Sequence, residues 1–145
     1  MDFGEVIPGI EYRRRDAVYA VILNADRKKA VIMVQNGKGF LPGGGMKKTE
    51  EQLSCLMREC VEETGFQINI ERYIGNAKQY FQSRQNEYIV NNGYFYAGRF
   101  GNYIKPPVED DHELVWMELD EAKQVLFHSS HFWAVETTLN LCERS

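Results

Sequence analysis

The chain has 145 residues, 43% of them hydrophobic and 26% charged, with a formal net charge of −4. That length suits one domain, residues 1–145, able to bury a core without disulfide or metal staples, and the acidic balance argues against a dedicated nucleic-acid binder, which carries a basic face. No apolar run approaches the roughly 18 residues of a membrane span, and Met1-Asp2-Phe3-Gly4-Glu5 lacks the basic-then-apolar order of a signal peptide.

Asp16 to Leu23 (DAVYAVIL) and Lys29 to Gln35 (KAVIMVQ) are β-rich runs joined by the turn-like Asn24-Ala25-Asp26-Arg27-Lys28. Arg13-Arg14-Arg15 reads as the solvated lead-in to the first run, with contact to a phosphate as the alternative. Gly37 to Gly45 is expected to be loop, with Phe40-Leu41 a short strand before Pro42. Thr49 predicts the N-cap of a helix, because its hydroxyl can accept an orphan N–H of the first turn. Gly65 fits the position just past the helix end, where positive φ is easiest for glycine. Strands are expected over Gln67 to Tyr73, Ala77 to Gln82 and Tyr88 to Phe100. Pro106-Pro107 breaks the pattern, and His112 to Glu118 (HELVWME) alternates as a strand does. Leu119 to Leu126 and Ser129 to Cys142 read as helices, the second with Phe132, Val135, Leu139 and Cys142 on one stripe. Strands mixed with helices indicate an α/β domain. Cys55, Cys60 and Cys142 are odd in number and lie in helical surroundings, which suits buried free thiols in a reducing cytoplasm.

The central helix carries the chemistry. A step of about 100° per residue brings Glu59, Glu62 and Glu63 within a roughly 100° arc. Leu53, Leu56, Met57, Cys60 and Val61 fall on another arc that suits packing on a core. Glu59 and Glu63 are like charges one turn apart, Glu62 adds a third, and such pairs repel by a few tenths of a kcal/mol. Only Arg58, one turn before Glu62, compensates. A divalent cation removes the conflict, because hard cations take carboxylate oxygens. Three glutamates on a helix would otherwise be read as a solvated face.

What decides between those readings is the whole pattern: Gly44, five residues, Glu50, seven residues, Arg58-Glu59, Cys60, Val61, Glu62-Glu63, Thr64, Gly65 and apolar Phe66. Such a set at fixed offsets arises by chance in well under about one chain in a hundred thousand. It resembles the Nudix box of the Nudix (MutT-like) hydrolases, spanning Gly44 to Phe66. The resemblance implies an α/β/α sandwich, a mixed β-sheet between helices with the box as a loop–helix–loop, over about Arg15 to Leu141. It also implies Mg²⁺-dependent hydrolysis, with Mn²⁺ as a substitute, of a nucleoside diphosphate linked to another moiety by water attack at phosphorus. By position, Glu59, Glu62, Glu63 and the Gly44 carbonyl would be metal ligands, and Glu59 a candidate general base. Glu50 and Arg58 would pair or orient the ligands, and Gly43 to Gly45 would give the loop its tight backbone. Thr49 and Cys60 depart from the commonest form of the box without removing a ligand.

Outside the box, Glu109, Asp110, Asp111, Glu113 and Glu87 are candidates for a further base or ligand, against their reading as polar surface loops. Lys47 and Lys48 could reach phosphates or simply be solvated. His128 and His131 have no cysteine or carboxylate partner nearby for zinc and read as helix-cap and packing residues. Tyr80, Phe81, Tyr94, Tyr96 and Trp133 could supply a stacking surface, most of them being core. The segment Met1 to Glu11 is apolar enough to pack on a partner copy, giving a homodimer, or on its own domain.

The favoured expectation is a cytoplasmic diphosphatase acting on a small nucleotide. A nucleoside triphosphate, including an oxidised guanine form, is the first substrate, and ADP-ribose or a nucleotide sugar the next. A non-catalytic nucleotide-sensing module is the alternative, disfavoured because such domains lose box glutamates. RNA cap removal is a third reading, weakened by the acidic balance.

Overall fold

In the computed structural model, which describes residues 1–108 and 111–143, strand alternation sorts the core into two layers of side chains. Strand β2 (Arg13–Ile22) is the organising element. Its Ala17, Tyr19 and Val21 join one buried cluster, and its Val18, Ala20 and Ile22 join another, because successive residues of a strand face opposite ways. Strand β3 (Lys29–Gln35) divides likewise, Ala30 and Ile32 against Val31 and Met33. A strand buried on both faces reads as a continuous apolar run, and both runs do.

The remaining elements are β1 (Asp2–Phe3), β4 (Lys38–Phe40), β5 (Gly43–Gly45), α1 (Gln52–Thr64), β6 (Phe66–Gln82), β7 (Tyr88–Tyr103), β8 (Glu113–Glu118), α2 (Leu119–Val125) and α3 (Ser129–Glu143). They form a five-stranded mixed sheet in the order β1-β6-β7-β2-β5 and a three-stranded antiparallel sheet in the order β4-β3-β8. The helix α1 covers the Val18 side through Cys55, Leu56 and Cys60. The helices α2 and α3 cover the Tyr19 side through Ala122, Ala134 and Val135. This is the expected α/β/α sandwich, with the strands divided between two sheets. Each fully buried Val, Leu, Ile or Phe in these layers contributes about 1.5–3 kcal/mol. Among the described residues no helix is long and apolar enough to cross a membrane.

Several local expectations need correction. The strands expected at Gln67 to Tyr73 and Ala77 to Gln82 are one strand, β6, whose register against β7 shifts near Ile70 and Tyr73. Bulges there absorb the extra residues without ending the ladder. Gly43–Gly45 is an edge strand on β2 rather than loop. The helix α1 starts after Glu51, not Thr49. Thr49 is displaced from the cap because Glu50 turns back, its amide bonding to the Lys47 carbonyl and its carboxylate accepting the Lys47 N–H at 3.0 Å. Leu53 and Met57 point largely to solvent, 42% and 50% exposed, so the packed stripe of α1 is Cys55, Leu56 and Cys60. On α3 the buried stripe runs through His131, Ala134, Val135 and Thr138, with Phe132 and Leu139 at its edges. Gly65 ends α1 as expected, at φ 83°.

Candidate active site

Bare backbone at the edge of the five-stranded sheet gives α1 its working face. A Cβ at Gly44 would lie 2.6 Å from Glu59 Oε2, so only glycine lets that carboxylate seat against the strand. One residue earlier, the Gly43 N–H donates to Glu63 Oε1 at 2.7 Å. The Glu63 side chain is only 6% exposed, and His112 Nδ1 lies 3.6 Å from its other oxygen. The Cys55 thiol faces the Gly44 and Gly45 carbonyls at 3.7 and 3.6 Å. Burial, with Glu50 next, pushes that thiol up to about 12, so it stays a protonated donor toward those oxygens.

Arg58 is the hub of the cluster. Its Nε and Nη2 grip Glu50 bidentately at 2.8 and 2.9 Å, while Nη1 donates to Glu59 Oε1 at 2.8 Å and Glu62 Oε2 at 3.1 Å. The fork geometry of guanidinium allows this where an ammonium would not. The Arg58 contact, followed by the Lys47 backbone bond, holds the Glu50 carboxyl down at about 2. Contact with Glu50 and then Glu59 raises the Arg58 guanidinium further above its ordinary range. Thus Glu50, Glu59 and Glu62 converge on a single arginine while Glu63 is held by the Gly43 N–H, leaving an excess of negative charge beside a backbone carbonyl edge. That donor set, hard oxygens in excess of their counter-charge, fits a divalent cation. Among the described residues no three His, Cys, Asp or Glu side chains are already gathered as a metal cage. Arg58 holds Glu59 and Glu62, and Gly43 holds Glu63.

The cluster opens onto a cavity of about 630 Å³, with Gly43, Gly44, Glu63 and His112 at its box end. Phe40, Phe81, Phe127 and His128 supply an aromatic wall, His128 lying 4.6 Å from the Phe81 ring centre and 4.8 Å from that of Phe127. Burial, then Arg15 and Lys38, lowers His128 to about 4, so it is a neutral ring. His131 beneath it is fully buried and accepts the Leu41 N–H on Nδ1 at 3.1 Å, and burial lowers it well below its ordinary value. Both histidines are packing residues, as expected.

The other expected contributors divide. Of the stacking candidates only Phe81 lines the cavity. Tyr94 and Tyr96 pack on the α1 side, Trp133 packs on Phe3 and Phe95, and Tyr80 on Tyr12. Glu87 is taken up by Arg13 at 3.2 Å. Asp111 accepts from Gln35 Nε2 at 2.6 Å, and Glu113 is exposed at the start of β8. Glu109 and Asp110 lie outside the described residues. Sequence reasoning missed His112, Phe40 and Phe127. His112 had a signal, since it begins the alternating run and sits between two acidic candidates.

Fold and site together define an α/β/α hydrolase-type scaffold whose carboxylate helix closes one end of a cavity. A model of the NUDIX domain matches residues 13–136, and the chain belongs to that family. A protein of Arabidopsis thaliana named Nudix hydrolase 4 is 29% identical over 116 residues, 77% of this chain and 53% of that protein, so the chain spans about half the length of this curated relative. Among solved structures, a NUDIX hydrolase from Nitrosomonas europaea matches with a TM-score of 0.72 at 20% identity, over 88% of this chain and 90% of that one. A MutT NUDIX hydrolase from Burkholderia pseudomallei matches at 0.64 and 25% identity, over 86% and 98%. The family as a whole uses divalent metal ions and small nucleotide substrates.

Proposed function

We propose that the chain is a Mg²⁺-dependent hydrolase of the diphosphate linkage in a nucleoside diphosphate derivative, residues 1–145 working as one Nudix domain in the cytoplasm. The observation that carries this reading is the seating of Glu59 and Glu63 against the Gly43–Gly44 edge, with Glu62 gathered beside Glu59 by Arg58 and with Glu63 lining the cavity. Glu59, Glu62, Glu63 and the Gly44 carbonyl would hold Mg²⁺, or Mn²⁺ in its place. When bound, the ion neutralises phosphate charge and makes a water molecule acidic enough to attack phosphorus. Glu59 is the candidate base, close enough to the strand edge to accept the proton of an attacking water. Arg58, fixed by Glu50, sets the direction of Glu59 and Glu62, a positioning role. Phe81 and Phe127 offer the aromatic wall on which a base can rest.

The substrate in this reading is a nucleoside triphosphate, oxidised guanine forms included, or ADP-ribose or a nucleotide sugar. Release of phosphate and pyrophosphate from such a panel, with Mg²⁺ or Mn²⁺ and beside Glu63→Gln, tests it. A hit lost by orders of magnitude in a variant that melts like the parent supports hydrolysis. Turnover close to the parent's in Glu63→Gln would sink it, and tight nucleotide binding without turnover would favour a sensor.

A further inference from the structure

The basic side chains of this fold differ in whether a carboxylate meets them. Arg13, Arg14, Arg58 and Arg99 each lie within 3.2 Å of a carboxylate oxygen. Among the described residues Arg15 does not. Its Nη1 donates to Asn91 Oδ1 at 2.7 Å and to the Tyr19 hydroxyl at 3.2 Å, both neutral. Asn91 Nδ2 donates to the same hydroxyl at 3.2 Å and is buried, so the anchor is a fixed amide–phenol pair. Arg15 Nε and Nη2 stand 3.2 Å from where a Gly45 Cβ would be. A guanidinium held in this way keeps its whole charge and has donors to spare.

Strand β5 explains the placement. A Cβ at Gly44 would meet Glu59 and a Cβ at Gly45 would meet Arg15, since adjacent strand residues face opposite ways. A strand without side chains therefore carries a carboxylate against one face and a guanidinium against the other. Arg15 also lines two hollows at once: the 630 Å³ cavity and a neighbouring groove of about 510 Å³ walled in part by Lys47 and Lys48. Both lysines are exposed, and among the described residues neither makes an ion pair. On the cavity side Lys38 sets its Nζ 4.1 Å over the Phe127 ring, again with no carboxylate partner among the described residues. Arg15, Lys38, Lys47 and Lys48, with no ion pair among the described residues, thus line two hollows that share Arg15, in a chain of net charge −4. The carboxylates that also line the groove, Asp16 and Glu50, are taken up by Arg14 and Arg58.

We propose that Arg15 is a phosphate-chain receptor and that the substrate is a linear polyphosphate compound of three or more consecutive phosphates, whose chain passes from the cavity across Gly45 into the Lys47–Lys48 groove. The choice of bond cut rests on the hydrolase reading above; the receptor does not. A nucleotide sugar offers only two phosphates to the box end and Arg15, whereas a nucleoside triphosphate or dinucleoside polyphosphate offers a further one to the lysine groove.

Calorimetric titration of the whole chain with inorganic tripolyphosphate and pyrophosphate, in EDTA, tests the receptor without turnover. Tripolyphosphate is expected to bind more tightly than pyrophosphate and to weaken as salt rises from about 50 to 200 mM. Arg15→Gln should weaken it by about tenfold or more, the loss of a charge-assisted contact. Lys47→Gln with Lys48→Gln should weaken it by about threefold or more. Arg99→Gln, the same charge change at the remote Glu71 pair, should leave it unchanged. Equal affinity for the two probes, or tripolyphosphate binding untouched by both the Arg15 and the lysine variants, overturns the proposal. If Arg15→Gln does not fold, the exposed lysine pair decides. Tripolyphosphate held through Arg15 with no turnover of any nucleotide would fail the hydrolase reading and keep the receptor. Glu63-dependent turnover indifferent to Arg15 and to the lysines would do the reverse.

Discussion

Gly44→Ala would place a Cβ 2.6 Å from Glu59 Oε2 and 2.8 Å from Glu59 Cδ, at a position whose φ is not positive. Ordinary contact begins near 3.4 Å, so the carboxylate has to retreat by about 3.4 − 2.6 = 0.8 Å. The obstruction is the end of a side chain rather than backbone, and the retreat should cost the fold less than about 1 kcal/mol. The site is less forgiving, because a shift near 1 Å in a reacting group costs on the order of 10²-fold in rate. Gly43→Ala is the matched contrast. It stands at φ 140°, and its Cβ would fall on the Val18 carbonyl oxygen, which is sheet backbone and cannot step aside. Backbone strain of that kind alone costs about 1–3 kcal/mol, before the clash. Urea unfolding and Mg²⁺-dependent turnover, measured on both variants, separate the two effects. We expect Gly44→Ala to keep the parent's urea midpoint and lose about 10²-fold in turnover, and Gly43→Ala to lose midpoint first. Parent-like turnover in Gly44→Ala would refute the role given to the seating of Glu59. An unfolding loss as large as that of Gly43→Ala would refute the claim that the carboxylate yields.

Arg58→Gln removes the counter-charge shared by Glu50, Glu59 and Glu62, and should destabilise the half-buried cluster by about 2 kcal/mol at neutral pH. Because the Glu50 carboxyl is lowered to about 2 in the fold, its stabilisation is present above its ordinary 4.5 and fades as pH falls toward 2. The gap between parent and Arg58→Gln in urea midpoint should therefore narrow between pH 6 and 3, and a constant gap would contradict the pairing. His128 and His131 are lowered in the fold, so they stabilise it above their ordinary 6.5 and stop doing so as falling pH protonates the unfolded chain. From pH 7.5 to 5 His128 should cost about 2 kcal/mol of stability, the 1.5 units between 6.5 and 5 at about 1.4 kcal/mol per unit, and His131 adds to the loss in the same direction. His128→Phe should remove the His128 share of that slope, and an unaltered slope would argue against its burial.

Legibility in the sequence followed the range over which each residue finds its partners. The box helix was readable because Glu59, Glu62, Glu63 and Arg58 meet within two turns, and a 100° step is enough to bring them together. Glu50 lies beside Arg58 in the fold, a pairing that only the resemblance implied, since eight residues separate the two and a helical step does not join them. Which side of that helix packs was less legible. Leu53 and Met57 have the right chemistry for the core, but the sheet face beneath α1 meets Cys55, Leu56 and Cys60 instead. The arginine triplet marks where local reading stops. Arg13, Arg14 and Arg15 are one residue type in a row, yet only Arg14 finds its partner locally, in Asp16, while Arg13 and Arg15 are settled by cross-strand neighbours far along the chain. Arg13 meets Glu87, and Arg15 meets Asn91, 76 residues away, where an amide stands in place of an acid. Strand alternation then turns Arg15 toward the cavity beside Gly45. An acid at position 91 would have neutralised the guanidinium, and a side chain at position 45 would have crowded it. The binding character assigned to Arg15 therefore depends on two small omissions, neither of which periodicity or composition can register.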